Sequence, residues 1–328
     1  MFKNPLTKKI IVIISVLIIT VIGADYLSYL HIYNTQKVFL KETNLEYINL
    51  PKYMQNRFVL HDHSTMDFFE NNPKSLGFRK PVGTEYKKKT IWLFGCSFAY
   101  GADMTKPQGV ADDENFGYFL SKAAKRPVYN RANPSWGIQH MLYQLERPQI
   151  YNDLPEPEYV IFLFISDHAR RMIKITYDVW NNGAYTRYKL DKNGKLKEVK
   201  PLLEPMWNFY FMKAYFYWLE YSVFLDEKNF DKNFDLMKAM FIKSKELINE
   251  KYPNAKFIIL KYDEINGFER TYYDSDRWKE IENAGITVID AGQMLKKDLK
   301  AKEYVCDDNY HPSQKAYKEI AEKLAKRL

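Results

Sequence analysis

Short apolar runs alternate with amphipathic stretches along most of the chain after residue 89. Nearly continuous apolar runs are typical of parallel strands that are covered on both faces. Strands are predicted at 90–94, 128–131, 159–165, 256–260 and 287–289, and helices at about 114–125, 137–146, 233–251, 275–284 and 312–327. The alternation predicts a three-layer α/β/α sandwich with a mostly parallel five-stranded sheet. Pro312 is expected in the first turn of the last helix, where proline is well tolerated.

Residues 169–232 interrupt this alternation. The segments 185–190 and 196–199 flank Asp-Lys-Asn-Gly, which predicts a β-hairpin. The strongly aromatic segment 207–224 is predicted to be helical. An insertion here is expected to overhang the strand ends as a lid, as a substrate wall or as a patch resting on a membrane. The predicted organisation is an anchor or signal peptide at 1–30, a stalk and lead-in at 31–88, and an α/β domain at 89–328.

The first thirty residues carry a membrane signal. Residues 10–24 contain no charged side chain and follow Lys3, Lys8 and Lys9. As a helix this segment spans about 22 Å, so flanking apolar residues must extend it to cross a hydrocarbon core about 30 Å thick. A signal peptide has a similar pattern, but residues 22–24 offer a small side chain at only one of the two cleavage positions, which favours an uncleaved, single-pass anchor. The lysines keep the start cytoplasmic, so the folded part is expected on the periplasmic or exterior side of the cytoplasmic (inner) membrane.

Composition narrows the class of partner and cofactor. The hydrophobic share of 46% and charged share of 27% are those of a globular protein. The net charge of +8 lies largely in lysine runs at element ends and on polar helix faces, without a basic stripe interleaved with aromatic residues, so nucleic-acid binding is disfavoured. His61 and His63 lack partner ligands at useful spacing, and Cys96 and Cys306 form no zinc-spaced cluster. No metal or organic cofactor is therefore expected.

A serine follows the first strand, and an acid–histidine pair precedes the last helix. Ser97 lies at the carboxyl end of a strand, where ligands bind in folds of this class. Asp308 and His311 are three residues apart on a turn, so the carboxylate can reach a ring nitrogen; Asp307 is a rival at a spacing of four. The other ring nitrogen is then a base for a serine hydroxyl. Serine is also a common helix cap and histidine a common surface residue, but the joint pattern predicts a Ser-His-Asp triad.

With a serine after the first strand and an acid–histidine pair before the last helix, the sequence resembles the SGNH, or GDSL-type, hydrolase family over roughly residues 75–328. The α/β-hydrolase family fits less well, because Ala99 stands where that family has a glycine. Residues 75–79 look like the lead-in of membrane-anchored members. The resemblance rests on the serine block at 94–101, where Cys96 replaces the commonest aspartate, and on the blocks at 130–137, 164–168 and 308–311.

The resemblance implies a flavodoxin-like SGNH fold and a serine esterase, with Ser97 as nucleophile, His311 as base and Asp308 as its orienting acid. Backbone N–H groups of Ser97 and Gly137 would form the oxyanion hole. The third block departs from the family pattern, which has an asparagine donor where this chain has Asp167. An ionised carboxylate cannot donate, and losing one such donor costs about 2.7–4 kcal/mol.

Three interpretations of this departure remain open. His168 can donate in place of the asparagine. Asp167 can instead orient Arg170 or Arg171. Alternatively, Asp167 and His168 are both structural, and the oxyanion hole consists of backbone N–H groups alone.

The expected substrate is an acylated carbohydrate or lipid outside the cytoplasm, with acetyl groups of a surface or cell-wall glycan favoured. O-acyl transfer by the same triad, with a sugar hydroxyl in place of water, is the alternative reaction. A non-catalytic glycan-binding or assembly protein is the alternative outside enzymology. Cys96 is interpreted as a small buried hydrophobic residue and Cys306 as an unpaired loop residue, rather than as a disulfide pair.

Overall fold

The computed structural model describes residues 78–102, 110–134, 136–152, 154–173, 187–199, 229–263 and 270–328, with isolated helical positions between Ile13 and Leu27. The strands are β1 Thr90–Phe94, β2 Val128–Asn130, β3 Pro157–Phe164, β4 Arg187–Leu190, β5 Leu196–Val199, β6 Lys256–Lys261 and β7 Thr287–Asp290. The helices are α1 Ser97–Tyr100, α2 Phe116–Ala124, α3 Ile138–Leu145, α4 Asp167–Ile173, α5 Phe230–Lys251, α6 Arg270–Asp274, α7 Trp278–Asn283, α8 Ala291–Leu295 and α9 Gln314–Ala325.

One sheet contains five strands in the order β2-β1-β3-β6-β7, and each neighbouring pair is parallel. The predicted parallel five-stranded α/β architecture is therefore confirmed. The chain first winds to one side of β1 and then to the other side. Folds of this type bind ligands at the point where the direction changes, which here lies at the carboxyl ends of β1 and β3.

The sheet separates two apolar cores because side chains alternate along each strand. In β1, Trp92 and Phe94 face one core, while Ile91 and Leu93 face the other. The first core is closed by α3, α4, α5 and α7, and the second by α1, α2, α8 and α9. The result is the predicted three-layer sandwich. The serine helix, α1, which begins at Ser97, lies on the same face of the sheet as the last helix, α9.

The helix predicted at 275–284 is present as α7, but it begins three residues later than predicted. A turn at 275–277 separates it from α6, a short helix that was not predicted. In that turn the Ser275 hydroxyl accepts a hydrogen bond from the Arg277 N–H at 3.1 Å. Serine hydroxyls that bond nearby backbone groups compete with helical hydrogen bonds, which accounts for the later start.

The last helix begins later than predicted. Its N-cap is Ser313, whose hydroxyl accepts from the Ala316 N–H at 3.3 Å. Pro312 lies before this cap, in an isolated bridge with Val305, rather than in the first turn. A serine is a better cap than the preceding histidine or proline, because its side chain satisfies a free N–H of the first turn.

The predicted hairpin is present as β4 and β5, paired antiparallel with Leu190 opposite Leu196. It packs beside the end of α3: the Tyr188 hydroxyl donates to Glu146 at 2.6 Å, and Arg147 pairs with Glu198 at 2.9 Å. Since α3 runs away from the carboxyl ends of the strands, the hairpin lies against the helix layer and does not overhang those ends. The aromatic segment 207–224 lies outside the described residues.

The predicted anchor falls largely outside the described residues, as do the stalk and His61 and His63. Among the positions that are described, no helix has the length and apolar character needed to cross a membrane. Among those of the first thirty positions that the structure describes, five apolar side chains are more than half exposed, namely Ile13, Val16, Leu17, Ile19 and Leu27. The transmembrane helix and the domain boundaries stay predictions.

Candidate active site

A sharp turn directly after β1 places Ser97 at the carboxyl end of that strand. Gly95 has a φ of 149°, in the region that favours glycine. A Cβ at this position would lie 2.9 Å from the Ala99 Cβ and 3.1 Å from the Leu163 carbonyl oxygen. The glycine therefore allows the chain to pass close to β3 and start α1 at once, with Ser97 only 7% exposed.

Asp308 and His311 form a buried hydrogen-bonded pair in the loop before α9. Asp308 Oδ2 lies 2.6 Å from His311 Nδ1, and the two residues are 0% and 3% exposed. Asp308 Oδ1 also accepts from the N–H groups of Tyr310 and His311, at 2.9 and 2.8 Å. An ionised carboxylate only accepts, so Nδ1 carries the proton and Nε2 has the free lone pair. Asp307, the alternative acid, is exposed.

Phe98 connects the serine turn to this loop. Its ring centroid lies 5.2 Å from that of His311 and 5.2 Å from that of Tyr310. The structure thus brings the residue next to Ser97 into contact with the imidazole, although Phe98 and His311 are 213 positions apart in the sequence. Within the described part of the chain, Ser97 Oγ and His311 Nε2 make no hydrogen bond. Catalytic hydrogen bonds are often long in unliganded enzymes and tighten when substrate binds.

The segment after β2 is fastened to the serine helix. The Asn130 side-chain amide donates to the Ala99 carbonyl at 2.7 Å, and its oxygen accepts from the Ala132 N–H at 3.1 Å. Asn130 is 3% exposed. The sequence placed Asn130 at the start of a motif without assigning it a role; the structure shows that it holds α1 and the 131–137 segment together.

Gly137, the predicted second oxyanion donor, is the N-cap of α3. Its N–H donates to His140 Nδ1 at 3.0 Å. The His140 ring is completely buried and stacks on Trp136, with centroids 5.1 Å apart and an interplanar angle of 8°. The donor that the resemblance assigns to the oxyanion is therefore engaged by a neighbouring imidazole in this conformation.

Asp167 is held by two arginines one turn further along α4. Its two oxygens lie 2.6 Å from Arg170 Nε and 2.6 Å from Arg171 Nε. Arg171 also donates to the Trp136 carbonyl at 2.8 Å, which links α4 to the segment before Gly137. Of the three interpretations of this residue, the geometry is that of a carboxylate orienting arginines. The i, i+3 and i, i+4 spacing on a helix was the sequence signal for these pairs.

His168 lies in the core rather than at the surface. It is 0% exposed and packs against Phe162 and Phe164, with ring centroids 5.1 and 5.7 Å away. Its Nδ1 accepts from the Ile165 N–H at 3.3 Å. Burial, reinforced by the charge of Arg171, lowers the pKa of His168 well below its ordinary value, so the ring is neutral. These contacts are those of a structural side chain.

Arg79 contacts the end of α1, whereas the sequence identified it only as part of a lead-in motif. Its guanidinium donates to the carbonyls of Tyr100, Gly101 and Val110 at 3.1, 3.1 and 2.8 Å. It also pairs with Asp112 at 3.0 Å and lies 4.4 Å from the Tyr100 ring centroid. Tyr100 is the last residue of α1 and Gly101 is its C-cap, so Arg79 fixes the end of the helix that carries Ser97 and ties Val110 to it.

We expect Arg79→Ala to lower the free energy of unfolding by about 2–4 kcal/mol, because three carbonyls lose a charged donor. Arg79→Lys should recover only part of this loss, since an ammonium lacks the planar fork that bonds several carbonyls at once. Urea unfolding measures both effects, with the exposed neighbour Lys80→Ala as the control. An Arg79→Ala variant as stable as the parent would show that these hydrogen bonds contribute nothing to the free energy of unfolding.

Both cysteines are free thiols. Cys96 is completely buried beside Ser97, whereas Cys306 is partly exposed in the loop that carries the acid and the histidine. Across the described residues, no group of three or more His, Cys, Asp or Glu side chains is arranged to hold a metal ion.

No protein-family model matches the sequence, and no curated protein matches it either. Solved structures do resemble it in part. A lipolytic protein of the G-D-S-L family from Desulfitobacterium hafniense is 14% identical, with a TM-score of 0.43 over 74% of this chain and 100% of its own. A G-D-S-L family member from Veillonella parvula is 13% identical, with a TM-score of 0.43 over 73% of this chain and 97% of its own. An acetyl xylan esterase from the rumen bacterium Butyrivibrio proteoclasticus is 12% identical, with a TM-score of 0.40 over 74% of this chain and 63% of its own.

Proposed function

We propose that this protein is a serine esterase that removes acetyl or other acyl groups from a carbohydrate or lipid outside the cytoplasm. The observation that carries the proposal is the buried Asp308–His311 pair, 2.6 Å apart, whose imidazole packs against the residue that follows Ser97. A buried acid that orients a histidine beside a serine is the arrangement that activates a hydroxyl for attack on a carbonyl.

In the proposed reaction Ser97 Oγ attacks the ester carbonyl while His311 Nε2 takes its proton. Asp308 stabilises the imidazolium that forms. The tetrahedral intermediate collapses when His311 protonates the leaving alcohol, which leaves an acyl group on Ser97. Water then attacks the acyl carbon, loses a proton to Nε2, and the carboxylic acid departs as Ser97 regains its proton. All steps use groups of this chain and water.

Backbone N–H groups are the proposed oxyanion donors. The Ser97 N–H donates no hydrogen bond within the described ranges, so it is available. The Gly137 N–H is bonded to His140, but a developing oxyanion is a stronger acceptor than a neutral ring nitrogen and can displace it. Arg170 and Arg171 offset the negative charge of Asp167, which removes the repulsion that an isolated carboxylate would exert on the oxyanion.

Two other functions are compatible with the same fold. In O-acyl transfer, a sugar hydroxyl replaces water on the acyl-serine. In a glycan-binding or assembly protein, Ser97 would not react. Competition between water and a glycan acceptor for the acyl-enzyme separates the first alternative from hydrolysis, since transfer yields acylated glycan and hydrolysis yields free acid.

The first test is covalent labelling. We expect a fluorophosphonate probe to modify the folded protein once, with peptide mass spectrometry placing the adduct on Ser97, because only a serine activated by a base reacts quickly. His311→Ala should slow labelling by at least about 100-fold, the lower end of general-base contributions. Folded parent protein that remains unlabelled would favour the non-catalytic alternative.

We also propose that the segment at 10–24 anchors the protein in the cytoplasmic membrane, with the folded part outside. Its basic start and apolar run support this, as does the exposure of Ile13, Val16 and Ile19. Large apolar side chains exposed in a group are typical of a surface covered by lipid or protein.

If the segment is an anchor, the full-length protein and a truncated variant should separate into different cell fractions. Full-length protein should stay in the membrane fraction after a sodium carbonate wash, whereas a variant lacking residues 1–30 should be released and keep its esterase activity. Intact mass of the purified native protein is the control. A mass corresponding to loss of the first two dozen residues would identify a cleaved signal peptide instead.

A further inference from the structure

The thiol of Cys306 lies against the acid of the proposed triad. Cys306 Sγ is 2.9 Å from Asp308 Oδ1, and the thiol is the donor. The backbone of the same residue closes the loop: its N–H donates to the His311 carbonyl at 2.8 Å, and its carbonyl accepts from the Asn309 N–H at 2.9 Å. Cys306 thus contacts the acid through its side chain and the base through its main chain.

The buried Asp308 carboxylate orients the imidazole only if one of its oxygens faces His311 Nδ1. The N–H groups of Tyr310 and His311 bond Oδ1, and His311 Nδ1 lies at Oδ2. The Cys306 thiol is a side-chain donor to the same Oδ1, the oxygen that does not face the ring. Since a carboxylate rotates as a unit, a donor that holds Oδ1 also holds Oδ2 toward Nδ1.

We propose that Cys306 is a positioning residue for the His311 base, acting through Asp308. The proposal rests on the proposed esterase function, because it assigns a role within that triad. Removing the thiol takes away the side-chain donor at Oδ1, leaves the two backbone donors, and loosens the acid–histidine pair. Alkylating the thiol has the same effect, since the alkyl group removes the donor and occupies the space beside Oδ1.

The first test is a pair of substitutions. Cys306→Ala is expected to lower kcat by about 3- to 10-fold, the equivalent of one modest hydrogen bond, with KM unchanged. Cys306→Ser should stay within about twofold of the parent, because a hydroxyl also donates to a carboxylate. Rescue by serine but not by alanine supports positioning. Equal kcat values for the parent and the alanine variant overturn the proposal.

The second test does not depend on activity. In a Ser97→Ala background, the proton resonance of His311 Nδ1–H reports the bond to Asp308 directly. Adding Cys306→Ala should shift this resonance, and adding Cys306→Ser should restore it. An unchanged resonance overturns the proposal even if the protein hydrolyses no ester, so this failure is distinguishable from failure of the proposed function.

The third test follows the thiol itself, using iodoacetamide at one fixed pH. A neighbouring carboxylate disfavours the reactive thiolate, so Asp308→Asn should speed alkylation of Cys306 by at least about threefold. Asp307→Asn removes an exposed carboxylate of the same loop and is the matched control, with an unchanged rate expected. Peptide mapping distinguishes Cys306 from the fully buried Cys96. Equal rates in the parent and Asp308→Asn, both folded, overturn the contact.

Discussion

Replacing Ser97 with alanine is expected to reduce ester hydrolysis to the background of the assay, a fall in kcat on the order of 10⁶. The reason is that the proposed covalent step has no other nucleophile: the acyl group would have to pass directly to water without the intermediate. The Ser97 hydroxyl makes no hydrogen bond within the described residues, so its loss should leave stability almost unchanged. Hydrolysis of p-nitrophenyl acetate and thermal unfolding measure the two quantities.

Ser244→Ala is the matched control for this substitution. Ser244 is completely buried on α5, and its hydroxyl donates to the Met240 carbonyl at 2.8 Å. Since it faces the core on the other side of the sheet, its removal should leave kcat within about twofold of the parent and change stability by less than about 1 kcal/mol. If Ser97→Ala kept the parent rate, the assignment of the nucleophile would be wrong.

Asp308→Asn is expected to lower kcat by about 10⁴, with the fold retained. The amide keeps the shape of the side chain and an oxygen that can accept from the two backbone N–H groups. It cannot stabilise an imidazolium, and its NH₂ group favours the tautomer whose lone pair faces away from Ser97. Steady-state kinetics with p-nitrophenyl acetate measure kcat, and circular dichroism checks the fold.

Asp307→Asn separates the two candidate acids. Asp307 is exposed, whereas Asp308 is buried and bonded to the ring. We expect the Asp307 variant to stay within about twofold of the parent, because an exposed charge is screened by water. A large loss in Asp307→Asn with little effect in Asp308→Asn would reverse the assignment and remove the geometric basis of the proposed triad.

The sequence predicted the strands well. β1 has the predicted bounds, and β6 and β7 each extend one residue beyond the prediction. Buried parallel strands are short apolar runs flanked by glycine or charged residues, so their signal is local and strong. β3 begins two residues earlier than predicted, at Pro157. A proline at the first position of a strand is tolerated, but it carries no strand signal of its own.

Helix boundaries were predicted less well. The late starts of α7 and α9 both depend on a serine hydroxyl bonding a nearby N–H. Serine occurs in helices, caps and turns alike. Which of these it adopts is decided by the packing of the apolar residues that follow it.

The sequence by itself determined the alternation of strands and helices, the spacing that pairs Asp308 with His311, and the placement of Ser97 after a strand, because each depends on residues close together in the chain. Only the tertiary structure decided that Arg79 bonds carbonyls more than twenty positions away, that Gly137 is engaged by a buried His140, and that the Phe98 ring meets the His311 imidazole. These contacts depend on the strand order and on which helices share a face of the sheet. Packing energy summed over both cores selects that arrangement, and no local pattern encodes it.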